Sequence, residues 1–170
     1  QKYGGDRQKV EAYIRALYQH VPVLDTGSRG STITFAQKGI GDVLLSWENE
    51  AYLAIDQFGA DQFDIVVPPL SIRADPPVTV VDKNVAAHGS AALARAYLQY
   101  LYSPEGQTLA ARHHYRPAHP ELVTDRSLIA AFPKIKLVTI DDPIFGGWAK
   151  VQAEQFGDGG IFDQIYKPAN

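Results

Sequence analysis

Between residues 6 and 20 the apolar side chains Val10, Tyr13, Ile14, Leu17 and Tyr18 are spaced three, one, three and one apart. That is the stripe of an amphipathic helix. A short apolar run at 21–24 then predicts a strand. Residues 28–38 predict a second helix, with Ile33, Phe35 and Ala36 inward and Gly39 ending it. Residues 43–46 read as a buried strand, and 48–58 as a helix carrying Tyr52, Leu53, Ile55 and Phe58 before Gly59. Another strand, 63–67, is cut by Pro68-Pro69, and Pro76-Pro77 precedes a strand at 78–81. Residues 90–102 form a strong helical pattern. Ser103-Pro104-Glu105 opens the next helix, with a capping hydroxyl, a proline in the first turn and an acid beside it. Arg112-His113-His114 closes that helix. Helices are expected at 121–132, 145–156 and 162–166, and a strand at 135–140. This alternation predicts an α/β architecture with parallel strands, and the two proline pairs mark a lobe boundary.

Composition narrows the class. Of 170 residues, 45% are apolar and 21% charged, an ordinary globular balance that allows one or two domains. A net charge of −3 argues against a general nucleic-acid binder, which needs a basic field. With no cysteine, thiolate and disulfide chemistry is excluded. No apolar run approaches the roughly 18–20 residues that span a bilayer. The chain begins at Gln1 rather than Met and shows no signal peptide, which suggests a processed protein or a piece of one.

Two segments carry candidate chemistry. The first is Asp25-Thr26-Gly27-Ser28-Arg29-Gly30-Ser31-Thr32, a small-residue loop opening onto a helix. The first amides of a helix lack intrahelical acceptors and sit at its positive end, so an anion placed there gains hydrogen bonds without a lysine. Small residues allow close approach. An ordinary capped turn has the same composition. The loop is not a nucleotide-binding P-loop or a GxGxxG turn, and Thr26 stands where a hydrolase elbow needs glycine. The second segment is Gly41-Asp42-Val43-Leu44-Leu45-Ser46-Trp47-Glu48-Asn49-Glu50. Trp47 reads as a strand-end residue, where open α/β sheets line their ligand crevice. Its indole donates and cannot accept, which suits a fully ionised oxyanion. A core tryptophan would read the same way. Arg29 could pair with a ligand or with Asp25. His20, His88, His113, His114 and His119 lack the context of a catalytic triad. His113-His114 and Asp141-Asp142 lack metal-ligand spacing.

Several runs, in order, resemble the periplasmic sulfate/thiosulfate-binding proteins of ABC importers. They include Val23-Leu24-Asp25-Thr26-Gly27-Ser28-Arg29-Gly30-Ser31-Thr32, then Gly39-Ile40-Gly41-Asp42-Val43-Leu44 leading into Trp47-Glu48-Asn49-Glu50, then Val80-Val81-Asp82-Lys83. Further along are Tyr100-Leu101-Tyr102-Ser103-Pro104-Glu105-Gly106-Gln107, Tyr115-Arg116-Pro117, Phe132-Pro133-Lys134-Ile135-Lys136-Leu137 and Phe145-Gly146-Gly147-Trp148. The resemblance covers the chain but only the C-terminal half of such proteins.

It implies an α/β fold of the type II periplasmic-binding-protein kind, with two lobes, each a mixed sheet flanked by helices, here lacking the N-terminal half. Residues 1–68 would carry the anion loop and Trp47 in the second lobe, 69–126 part of the first, and 127–170 a segment packing back across both. The Ser28 amide and the Trp47 indole would donate to the anion. Arg29, Gly27, Gly30 and Asp25 would support the site from behind. No catalysis, cofactor or metal is implied. The implied partners are sulfate or thiosulfate, the importer's membrane subunits, and the missing half as a separate chain or segment. The implied location is periplasmic. Asp25 and Glu48 could accept from a protonated phosphate, and binding of another tetrahedral oxyanion, such as phosphate or molybdate, stays open. So does a fragment without ligand binding.

Overall fold

Asp6 starts the first helix because its carboxylate accepts the Lys9 amide at 3.1 Å, filling one of the vacancies that every helix start leaves. The helix, α1, spans Arg7–Gln19. In the computed structural model, which describes residues 3–166, α1 belongs to a unit made of Gln1–Ser46 and Leu137–Asn170. A second unit comprises Trp47–Lys136. Gln1 and Lys2, with the expectations attached to the chain's start, lie outside the described residues.

The first unit also holds α2 (Ser28–Ala36), α8 (Trp148–Val151), a π turn at Gln152–Phe156 and α9 (Ile161–Ile165). Tyr18 of α1 packs edge-on against Phe162 and Tyr166, whose rings lie 5.7 and 5.6 Å away. Arg15 donates to the Gln164 carbonyl at 2.7 Å, so one polar bond reinforces the same helix pairing. Ile165 is buried there.

The second unit holds α3 (Glu48–Phe58), α4 (Asp82–His88), α5 (Ala91–Leu101), α6 (Pro104–Arg112), a 3-10 turn at Pro120–Leu122 and α7 (Arg126–Ala130). Ser103 caps α6 by accepting the Gly106 amide at 3.1 Å, with Pro104 in the first turn. Gly106 is required by packing: a Cβ there would lie 2.3 Å from the Tyr100 carbonyl oxygen. Gln107 is buried, and both ends of its amide are used. It donates to the Leu101 carbonyl at 2.7 Å and accepts the His119 amide at 2.7 Å. One side chain thereby joins the end of α5 to the segment that follows α6.

Sheet structure departs from the sequence expectation. Among the described residues the one sheet has two strands, β1 (Leu70–Ile72) and β2 (Lys136–Val138). β2 is the core of the expected 135–140 strand. The runs 21–24, 43–46, 63–67 and 78–81 form no strand. Their residues favour extended backbone, but a strand exists only where its amides and carbonyls meet a neighbouring ladder. Val43 and Leu45, in the run expected to be a buried strand, are 79% and 78% exposed, and Val66 of the 63–67 run is 87% exposed. The expected mixed sheets are therefore not assembled among the described residues.

Other differences have local causes. The helix expected at 145–156 begins only at Trp148, because Gly146 and Gly147 hold φ of 73° and 85°. The one expected at 121–132 divides into the 3-10 turn and α7, with Asp125 capping α7 through the Ser127 amide at 3.0 Å. Helix α4 was not anticipated.

Burial is sparse. The chain exposes 12915 Å². A compact monomer of this mass would expose about 8,300 Å², and two separate compact bodies of half the mass about 10,000 Å² together. Among the described residues, Ala54, Ala111, Val123 and Ile165 are the buried apolar side chains.

With so little apolar burial, a doubly bonded buried amide should matter unusually. Gln107→Ala is expected to lower stability by about 1–3 kcal/mol, since it leaves the His119 amide and Leu101 carbonyl without their partner. Urea denaturation followed by circular dichroism checks this. An unchanged midpoint would remove Gln107 from this role.

Candidate functional site

Asp25, Gly27, Ser28, Arg29 and Gly30 come together at the start of α2. Gly27 is the N-cap and Ser28 the first helical residue. No side chain caps this end. The Ser31 amide bonds the Gly27 carbonyl at 3.1 Å, and the Thr32 hydroxyl donates to the Ser28 carbonyl at 3.1 Å. Geometry therefore directs the opening amides of α2 outward from the helix end. Asp25 lies beside this turn. Its carboxylate accepts the buried Thr34 hydroxyl at 3.3 Å, and its Cβ is 3.4 Å from the position a Gly30 side chain would take.

The two glycines differ. Gly27 has φ −164°, an extended conformation open to any residue, and an added Cβ would meet nothing within 4 Å. Neither backbone strain nor internal packing calls for glycine at 27. Gly30 backs onto Asp25, so its small size is used within the fold.

Trp47 is the N-cap of α3 in the other unit, with φ −65° and ψ 146°. It is 52% exposed, which sets aside the core-tryptophan reading. The segment before it is extended but is not a strand, so Trp47 heads a helix instead of ending a strand. No side chain caps α3 either, and its first turn carries Glu48 and Glu50.

Glu48 is engaged by a residue that pattern reasoning passed over. Arg116 donates from Nε to Oε2 at 2.5 Å and from Nη2 to Oε1 at 2.7 Å. Nη2 also donates to the Pro133 carbonyl at 2.9 Å, and the guanidinium carbon lies 5.2 Å from the Phe132 ring centroid. These bonds from Glu48 hold the Arg116 guanidinium above its ordinary pKa. The sequence signal was the Tyr115-Arg116-Pro117 run, but nothing local pointed across 68 residues to Glu48.

Two other groups have structural partners. His114 meets Asp56 at 2.8 Å and stacks on Tyr52, with ring centroids 5.2 Å apart. His119 pairs with Glu121 at 3.0 Å. Among the described residues no cluster of three or more His, Cys, Asp or Glu could hold a metal ion. No described helix is long and apolar enough to cross a membrane.

Residues 2–116 match the family model described as bacterial extracellular solute-binding protein. A sulfate-binding protein of Escherichia coli is 55% identical over 162 residues, which cover 95% of this chain and 48% of that protein. A thiosulfate-binding protein of Pseudomonas aeruginosa is 48% identical over 167 residues, 98% of this chain and 49% of that protein. A protein of Cucumis sativus named as a sulfate/thiosulfate import ATP-binding protein is 50% identical over 70 residues, 41% of this chain. The chain spans about half the length of the two bacterial relatives.

Because Gly27 answers no need inside the fold, Gly27→Ala should cost little stability. The expected loss is below about 1 kcal/mol, the difference between glycine and alanine at an N-cap. Thermal denaturation measures it. A larger loss would mean that Gly27 is a packing residue after all.

Proposed function

The chain belongs to the bacterial extracellular solute-binding protein family, and on that premise we propose that it supplies part of a sulfate-binding site. The relatives named for sulfate and thiosulfate support this ligand class. So does the chemistry of the two helix starts. The observation that carries the reading is Gly27: a glycine with no conformational or packing reason, heading a helix with no side-chain cap. Close approach of an anion to the amides behind it would account for both features.

In this reading the Ser28 amide and the Trp47 indole donate to the anion. Sulfate carries no proton at neutral pH and needs only donors. Trp47 offers a donor and nothing else. Phosphate is partly protonated and gains from a free carboxylate acceptor. Of the two carboxylates that could accept from phosphate, Glu48 already receives the Arg116 fork on both oxygens, while Asp25 receives one bond from the Thr34 hydroxyl on Oδ1. This favours sulfate or thiosulfate over phosphate. The function is binding and delivery to an ABC importer from the periplasm, without catalysis.

We assign the missing part of the site to a segment equivalent to the other half of the longer relatives. The extended runs 43–46 and 63–67, which join no sheet and expose Val43, Leu45 and Val66, suit strands that such a segment would complete into the two mixed sheets of a type II periplasmic-binding-protein fold. The excess exposed surface suits the same partner.

Incomplete enclosure sets the affinity. An anion left partly hydrated gains less from each donor than one held in a dry, fully bonded cage. Calorimetry on the 170-residue chain alone should therefore give sulfate binding weaker than micromolar. Tighter binding would refute the half-site. The sulfate-dependent change in tryptophan emission should vanish in Trp47→Phe, which retains Trp148. If the variant responds like the parent, Trp47 is not at the ligand. Ser28→Ala should bind as the parent does, because it keeps the amide.

A further inference from the structure

A helix start suits an anion only if the charges already there permit it. The start of α3 carries Glu48 in its first position, directly after Trp47. An acid there stabilises the helix but repels a second anion at the same end. Arg116 meets that carboxylate with two parallel N–H···O bonds. Both side chains are half-buried, and the pair is anchored by the Pro133 carbonyl and the Phe132 ring. Isolated surface ion pairs contribute little because their long side chains wander and water screens them. This one is forked, partly shielded and held in place on its far side, so its orientation is fixed.

We propose that Arg116 is a positioning residue for the oxyanion: it cancels the Glu48 carboxylate at the start of α3 and fixes the backbone that presents the Trp47 indole. The inference rests on the assignment of Trp47 as a ligand donor. Arg116 itself does not touch the anion. It acts in two ways through Glu48. Charge cancellation removes the Glu48 charge, the acid nearest Trp47, from the helix start, and the fork locks the first residue of α3, whose neighbouring peptide sets the Trp47 conformation. A purely structural Arg116 would serve only the second purpose, and the two are separable by removing the carboxylate as well.

The 170-residue chain, labelled with nitrogen-15, offers a direct readout that tolerates weak binding. The indole N–H signal of Trp47 is identified by its loss in Trp47→Phe, with the Trp148 signal as internal reference. Sodium sulfate is titrated at constant ionic strength maintained with chloride. Arg116→Gln should weaken sulfate binding about tenfold, the effect of one uncompensated charge at a helix end. Adding Glu48→Gln should restore affinity to within about threefold of the parent. Glu48→Gln alone should bind about threefold more tightly than the parent, because Arg116 is then uncancelled. If Arg116→Gln titrates like the parent, or the double variant fails to recover, the charge role is overturned. Should Arg116→Gln lose its fold, Glu48→Gln decides, and equal or weaker affinity overturns the proposal. A parent Trp47 signal that ignores sulfate overturns the Trp47 assignment and this inference with it. A parent that responds beside an unresponsive Arg116→Gln overturns this inference alone.

Discussion

Scarcity of apolar burial governs this chain. With few side chains fully enclosed, the described elements are held by polar knots that each satisfy several groups at once. Gln107 joins two segments through the two ends of its amide. Asp6, Ser103 and Asp125 each supply a missing partner at a helix start. Arg116 gathers a carboxylate, a carbonyl and an aromatic ring. A buried polar group left alone costs more than a made bond contributes, so such knots are intolerant of losing one member. Outside those knots, as along 43–46 and 63–67, the backbone stays extended without joining a sheet, and Val43, Leu45 and Val66 are exposed.

The same contrast explains what could be read in the sequence. Helix α3 was legible at both ends, from its acidic first turn and from Gly59 after Phe58. The start of α6 was legible from Ser103-Pro104. Helices close their hydrogen bonds within themselves, so their signals are local. Strand residues declare an extended backbone but not a partner, and pairing is settled by segments distant in sequence. The 78–81 run has a strand's composition, and the helix α4 begins directly behind it. Its signals were present: Asp82 in the first turn and Gly89, at φ 62°, as the stop.

Site legibility divides along the same line. The loop around Ser28 was visible because helix-start chemistry is written in consecutive residues. Its glycines looked alike, and only their surroundings separate Gly30, backed by Asp25, from Gly27, which nothing inside the chain constrains. Trp47 stands out in the sequence by residue type, and the structure makes it an exposed N-cap of α3 where a strand end was expected. Arg116 had no local signal of its role, because an arginine becomes informative only when its carboxylate is known.

A site that holds a dianion with neutral donors must solve two problems together. It must bring several N–H groups to one point, and it must keep fixed negative charge away from that point. Small residues and helix starts solve the first. The second is harder on this chain, because the helix headed by Trp47 begins with acids that its own stability favours. Deleting the acid would weaken the helix, and placing a free cation at the ligand would reduce discrimination among anions. Pairing Glu48 with an arginine drawn from elsewhere in the same unit avoids both. The helix keeps its acid, while a ligand at the proposed site would meet a neutral pair. In the proposed site a protonated ligand would gain less from Glu48, because the Arg116 fork already draws on both of its oxygens. In the proposed site, one ion pair would thus favour a fully ionised oxyanion over one that carries a proton.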